Sequence, residues 1–131
     1  MNNINARFIA IGSICALLSV AFGAFGAHML KGVLSPDDLA VFQTGVQYHM
    51  THSLGLIAVG LAAGWMPGSK NLTRAGWFLF AGILLFSGSL YVLSLSGIKI
   101  LGAITPFGGV SFMIGWFLVA LAALQHSKKQ G

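Results

Sequence analysis

The sequence predicts an all-α integral membrane protein, a four-helix bundle with a short interfacial helix before the second span. Apolar residues make up 56% of its 131 residues and charged residues only 7%, whereas a soluble domain carries about 25% charged residues. Four segments approach or reach the roughly 20 apolar residues that a helix needs to cross a bilayer. The connections between them are short, so we expect one domain over residues 1–131.

The predicted spans cover about residues 8–30, 46–66, 75–95 and 100–124. The first is longer than the roughly 7–15 apolar residues of a signal-peptide core, so we expect it to be retained as a helix. The lengths of the spans do not show which end of each faces the cytoplasm.

The loop charges predict the orientation of the spans. One side of the membrane would hold five cations and the other side two cations with both acids. The first set is Arg7, Lys70, Arg74, Lys128 and Lys129, and the second is Lys31 and Lys99 with Asp37 and Asp38. Because cytoplasmic loops carry the excess of Lys and Arg, both termini are predicted to be cytoplasmic. Basic residues dispersed between apolar segments do not form a nucleic-acid surface.

Two segments contain signals for a helix start. Ser35, followed by Pro36 and two acids, is typical of a helix N-terminus, and predicts a short interfacial helix that bends near Gly45 into the second span. A helix that runs through without a break is the alternative. The segment Thr105-Pro106 either starts the fourth helix, with Thr105 as its N-cap, or kinks it.

Three histidines, His28, His49 and His52, lie in or beside the apolar segments. A titratable group within a span is costly and is a candidate functional residue. The predicted orientation places all three in the outer half of the membrane, where His49 and His52 share a helix face. A helix start at Thr105 would add free N–H groups nearby. The candidate ligand-binding set is therefore His28, Gln47, Tyr48, His49, His52 and Thr105.

Stripes of small residues run along several spans. Examples are Gly12, Ala16, Ser19, Gly23 and Gly26 in the first span, and Gly60 with Gly64 in the second. Small residues on one face let helices approach closely in lipid. These stripes predict either close packing within one chain or contact with a second subunit, and a homo-oligomer is expected.

The sequence also resembles a known family. The stretches GAFGAHMLK, FQTGVQYHMTHSLGL, FSGSLYVLSLSG and LGAITPFGGVSFMIGW are similar to the YgdD/YwdK-like family of small inner-membrane proteins of bacteria. Similar stretches occur in all four predicted spans. It implies a multi-pass protein of the inner membrane, and it brings no catalytic or binding residues.

Three hypotheses for function follow from the residues. The first is a non-enzymatic bundle that works through helix or subunit association, with the histidines as interhelical hydrogen-bond partners. The second is binding or transport of a small molecule or ion at the histidine cluster. The third is a metal or haem site, for which no acid or cysteine lies near the histidines within a span. No cofactor is predicted, although metal and haem stay open, and the expected partners are lipid and a second copy.

Overall fold

The computed structural model describes residues 3–131, and these residues form helices joined by short turns. The helices are α1 (Asn3–His28), α2 (Pro36–Trp65), α3 (Lys70–Gly82), α4 (Gly88–Ser96) and α5 (Thr105–Gln130). A π-helical turn, Ile83–Ser87, joins α3 and α4 into one continuous helix, Lys70–Ser96. A 3-10 turn, Lys99–Ala103, precedes α5. The predicted all-α membrane fold is confirmed.

Three helical stretches of the described residues are long and apolar enough to cross a membrane. They are Asn3–His28, Lys70–Ser96 and Lys99–Gln130, which contain most of the first, third and fourth predicted spans. Helix α2 is the longest single helix at 30 residues, but its polar side chains lower its mean hydropathy, and it is not among the three.

Helix α2 begins where the sequence predicted a helix start. Ser35 is the N-cap, and its Oγ accepts a hydrogen bond from the backbone N–H of Asp38 at 3.1 Å. The helix then continues to Trp65 without interruption, so a separate interfacial helix with a bend near Gly45 is wrong. Gly45 serves a different purpose: a Cβ there would lie 2.9 Å from the Tyr91 ring. This glycine allows close helix approach rather than bending.

Helices α1 and α2 pack antiparallel along the small-residue stripe of α1. Gly26 near the end of α1 meets Phe42, whereas Gly12 in its middle lies against the Ser53 carbonyl, which is 2.8 Å from a Cβ built there. Small residues thus permit backbone contact within one chain, which is the first of the two predicted uses of the stripe.

Helix α5 packs on the continuous α3–α4 helix by the same means. A Cβ on Gly108 would lie 2.3 Å from the backbone nitrogen of Phe86, and one on Gly115 would lie 2.7 Å from Leu79. Ser111 donates a hydrogen bond to the Phe78 carbonyl at 2.7 Å. The position of α5 along α3–α4 is therefore fixed by both close packing and a polar contact.

Pro106 stands in the first turn of α5, so it starts the helix and does not kink it. Ile104 is the N-cap, and no side chain caps the helix there. The predicted start is therefore confirmed, and the predicted capping role of Thr105 is wrong. Proline fits the first turn because its missing N–H would have no intrahelical partner there.

Candidate functional site

The structure does not bring the six predicted site residues together. His49 and His52 are buried near the middle of α2, whereas His28 is exposed in the last turn of α1 and Gln47 is exposed on α2. Because α2 begins at Pro36, the two buried histidines lie more than three helical turns from its start, deeper than predicted. They also have different partners, so they form two separate polar clusters.

The first cluster centres on His52, whose two ring nitrogens both have partners. Nδ1 lies 2.7 Å from the backbone carbonyl oxygen of Tyr48, which can only accept, so Nδ1 carries the proton. Nε2 then accepts a hydrogen bond from the indole N–H of Trp116 at 3.0 Å. His52 is thus a neutral imidazole that links α2 to α5.

Aromatic rings enclose this histidine. The imidazole stacks on Phe112 with the ring centroids 3.5 Å apart and an interplanar angle of 13°. Tyr48 stacks on both rings, with centroids 6.0 Å from His52 and 6.2 Å from Phe112. A cavity of about 470 Å³, open to the surface, borders this stack. The stack fixes the plane of the imidazole and so the direction of both hydrogen bonds.

The second cluster centres on His49, on the other side of α2. Its Nδ1 lies 2.8 Å from the Tyr91 hydroxyl, and which of the two atoms donates depends on the imidazole tautomer. The centroid of the Phe22 ring lies 6.3 Å from that of the imidazole. His49 therefore contacts both α1 and α4 from its position on α2.

Ser87 closes this second cluster from the π-helical turn. Its hydroxyl donates a hydrogen bond of 2.7 Å to the carbonyl of Gly45, one turn before His49. A π turn displaces the carbonyl ladder locally and is frequent at functional sites. Here it places Ser87 and Tyr91 one turn apart, facing α2.

An apolar cavity of about 440 Å³ lies beside His49, between α1 and the α3–α4 helix; we call it the lateral cavity. Phe8 contacts α3 at one end of the gap, with its ring centroid 5.2 Å from that of Trp77. Phe22 stacks on Tyr91 at the other end, at 4.8 Å. Between these contacts the two helices separate, and Cys15 and Gly88 line the opening. Its volume lies within the roughly 300–1,000 Å³ of ligand pockets.

Thr105 belongs to neither histidine cluster. Its hydroxyl lies 2.6 Å from that of Ser89, which connects the start of α5 to α4. The first-turn N–H groups of Phe107 and Gly108 are already bonded to Ile104. Trp116, the contact of His52, lies about 17 Å farther along α5 at 1.5 Å per residue. The expectation that this helix start places free N–H groups beside the histidines is therefore wrong.

Comparison with known proteins identifies the family. The family model described as "Protein of unknown function (DUF423)" matches residues 22–109, about two thirds of the chain. The chain belongs to the DUF423 family. It is 55% identical over 119 residues to the UPF0382 membrane protein YwdK of Bacillus subtilis, covering 91% of this chain and 97% of that protein.

Two staphylococcal DUF423 relatives are nearly as similar. UPF0382 membrane proteins of Staphylococcus haemolyticus and Staphylococcus epidermidis are each 48% identical, over 118 and 120 residues. These alignments cover 90% and 92% of this chain and 95% and 97% of the relatives. No solved structure matches. The resemblance drawn from the sequence is thus confirmed, as is the assignment to the membrane.

Sequence reasoning missed several residues of the two clusters in this DUF423 protein. Ser87 and Tyr91 of the second cluster and Trp116 of the first are absent from the predicted set of site residues. Ser89, the partner of Thr105, is absent from it as well. Asn5 was also missed, although it is 4% exposed and its Oδ1 has no hydrogen-bond partner. A polar residue within an apolar helix is the signal that could have identified each of them.

Proposed function

We propose that this DUF423 protein is a non-enzymatic, four-span protein of the bacterial inner membrane that works through association of its helices and of its subunits. The observation that carries the proposal is the pair of bonds at His52. Both nitrogens are used in contacts within the protein, and breaking either leaves a buried polar group unsatisfied at a cost of about 1–3 kcal/mol. This is the behaviour of a residue that fixes helix register.

The geometry of α2 supports its role as the fourth span. At 1.5 Å per residue its 30 residues extend about 45 Å, more than the roughly 30 Å hydrocarbon core. It lies antiparallel to α1 along most of that length. Its buried polar side chains bond to neighbouring helices or to its own backbone, so lipid does not meet them.

The charge distribution supports cytoplasmic termini. Five cations lie at the end of the bundle that holds the start of α1. They are Arg7, Lys70, Arg74, Lys128 and Lys129. The opposite end has Lys31 and Lys99 together with both acids. An excess of cations at one end favours the cytoplasmic side.

The hydrogen bonds also favour a structural role for the histidines over metal or haem ligation. A metal ligand needs a free lone pair on a ring nitrogen, and that of His52 already accepts from Trp116. Within residues 3–131, no three His, Cys, Asp or Glu side chains are grouped so that they could hold a metal ion. His28, the third ligand in the metal hypothesis, is at the end of α1.

The test compares His52→Gln with His52→Leu in full-length protein in lipid nanodiscs. Glutamine can still donate to the Tyr48 carbonyl and accept from Trp116, whereas leucine can do neither. We expect native mass spectrometry to show the same oligomer for the parent and His52→Gln, and partial dissociation for His52→Leu. A monomeric parent, or equal behaviour of both variants, would contradict a role in association.

The lateral cavity favours a second candidate function, the binding of an apolar small molecule beside His49. Gly88 lines this cavity, and a Cβ built there meets nothing within 4 Å. Gly88→Leu would therefore add a side chain to the cavity lining from a Cβ position that meets no neighbour. If the cavity binds a ligand, lipid-soluble molecules that co-purify with the parent should be absent from Gly88→Leu. Identical extracts from the two proteins would reject this candidate.

A further inference from the structure

A third cavity lies at the end of the bundle that holds the start of α1 and the end of α5, far from the histidine clusters. It measures about 750 Å³ and is bordered by the end of α2, the start of α3 and the end of α5. We call it the basic cavity because Lys70, Arg74 and Lys129 line it, together with the imidazole of His126. It is open to the surface beside the turn that joins α2 to α3.

No acidic side chain balances these cations. The chain has only two, Asp37 and Asp38, and both stand in the first turn of α2, at the opposite end of the molecule. A concave site lined by one sign of charge concentrates its field and attracts counter-ions. No acidic side chain of this protein therefore competes with an anionic ligand for these cations.

The contacts within the cavity leave its cations available for a ligand. Arg74 makes one long hydrogen bond, 3.4 Å from Nη1 to the side-chain oxygen of Asn71. Asn71 in turn donates to Gln125 at 2.9 Å, which joins α3 to α5 across the cavity. A guanidinium has five donors in a planar fork that suits phosphate, and within residues 3–131 the Asn71 oxygen is the one acceptor bonded to that of Arg74.

The position of the cavity indicates where such an anion comes from. Trp65 stands at its rim with 82% of its surface exposed, and tryptophans are enriched at the headgroup level of membranes. Basic cavities between transmembrane helices bind anionic headgroups.

We propose that the basic cavity binds the phosphate group of an anionic phospholipid headgroup. Lys70 and Arg74 from α3 contact the phosphate, Lys129 from α5 contributes charge from the other side, and the Trp65 ring lies among the neighbouring headgroups. This proposal does not depend on the histidine clusters or on the association proposed above, since it concerns different residues at a different level of the bilayer.

The experiment counts the phospholipid molecules that stay bound to full-length protein released from nanodiscs, by native mass spectrometry. One set of nanodiscs contains phosphatidylcholine alone, and the other phosphatidylcholine with phosphatidylglycerol. We expect phosphatidylglycerol to be retained selectively. At about 1 kcal/mol for each cation near the membrane, Lys70→Gln with Arg74→Gln should weaken that binding roughly 30-fold.

The matched control is Lys31→Gln with Lys99→Gln, which removes the same charge at the opposite end and should leave the bound phospholipid unchanged. Equal losses from both double variants would mean general charge attraction and would overturn the proposal, as would equal retention of the two lipids. A separate arm adds inorganic phosphate in detergent. Thermal stabilisation of the parent by phosphate, without selective lipid retention, would assign the site to a soluble anion and overturn the headgroup source.

Discussion

At the scale of single residues, the hydrogen bonds of His52 define its chemical state. One nitrogen faces a carbonyl and the other an indole N–H, so a single neutral tautomer satisfies both. Protonation of Nε2 would place two donors against each other. The ring is therefore suited to holding two helices together rather than to carrying a charge through the membrane.

A double-mutant cycle would measure this contact. We expect His52→Leu and Trp116→Phe each to lower the free energy of unfolding in dodecyl sulfate titrations, because each leaves the ring nitrogen of the other residue without its hydrogen-bond partner. The coupling between them should be about 0.6 kcal/mol and at most about 1.7, the range found for interhelical hydrogen bonds in membranes.

The matched cycle pairs Trp116→Phe with His28→Leu, which replaces an exposed histidine. No coupling is expected there. Strictly additive effects for His52 and Trp116, with the same result as in the control cycle, would show that the hydrogen bond contributes nothing to stability.

The separation of the two histidines shows what the sequence could predict at this scale. Three residues along a helix correspond to about 60° around its axis, so a shared face was a fair expectation. That angle is nonetheless wide enough for His49 to meet α1 and α4 while His52 meets α5. The periodicity gives the angle, but only the positions of the neighbouring helices decide which partner each ring finds.

At the scale of helices, glycine positions determine how closely α5 approaches α3–α4. Adjacent glycines provide a matched test. A Cβ on Gly108 would collide with the Phe86 backbone at 2.3 Å, whereas one on Gly109 would meet the Phe86 ring at 3.9 Å, an ordinary contact. Backbone atoms cannot rotate away from the first collision.

We therefore predict that Gly108→Ala destabilises the protein by about 1–3 kcal/mol, the usual cost of overpacking. Gly109→Ala should leave the stability unchanged or slightly higher, since alanine favours helix more than glycine does. Thermal unfolding in the same detergent would compare them. A loss of stability in Gly109→Ala equal to that in Gly108→Ala would refute the packing argument.

The continuity of α2 marks the limit of prediction at this scale. The start at Ser35 was readable because a cap, a proline and two acids are local signals. The predicted bend at Gly45 assumed that a glycine marks a position where the helix changes direction. Whether glycine bends a helix or admits a neighbour is decided by that neighbour, here Tyr91.

At the scale of the whole molecule, the fold class was predictable because composition alone requires a lipid environment. The pairing of helices was not. Helix α1 packs chiefly on α2 and separates from α3 between Phe8 and Phe22, which creates the lateral cavity. Apolar side chains suit lipid, a helix or an empty space equally well, so hydropathy does not distinguish these neighbours.

The proposed topology makes a prediction of its own. In a Cys15→Ala background, Val33→Cys lies in the exposed α1–α2 turn and Ser127→Cys near the end of α5. A membrane-impermeant maleimide added to intact spheroplasts should label Val33→Cys only, and Ser127→Cys should react after lysis. Labelling of Ser127→Cys in intact spheroplasts would reverse the proposed orientation or exclude the four-span count.

The π-helical turn Ile83–Ser87 gives the number of residues in this segment a meaning of its own. A π turn closes its hydrogen bonds between residues i and i+5, whereas an α turn closes them between i and i+4, so this segment takes up one residue more than a regular α-helix would. Deleting one residue within the turn would therefore allow a regular α turn and keep Tyr91 facing His49 and Ser89 facing Thr105. The same deletion within a regular α-helix would rotate everything after it by about 100°. The π turn is thus the place in the α3–α4 helix where the number of residues can change while the contacts of α4 are kept.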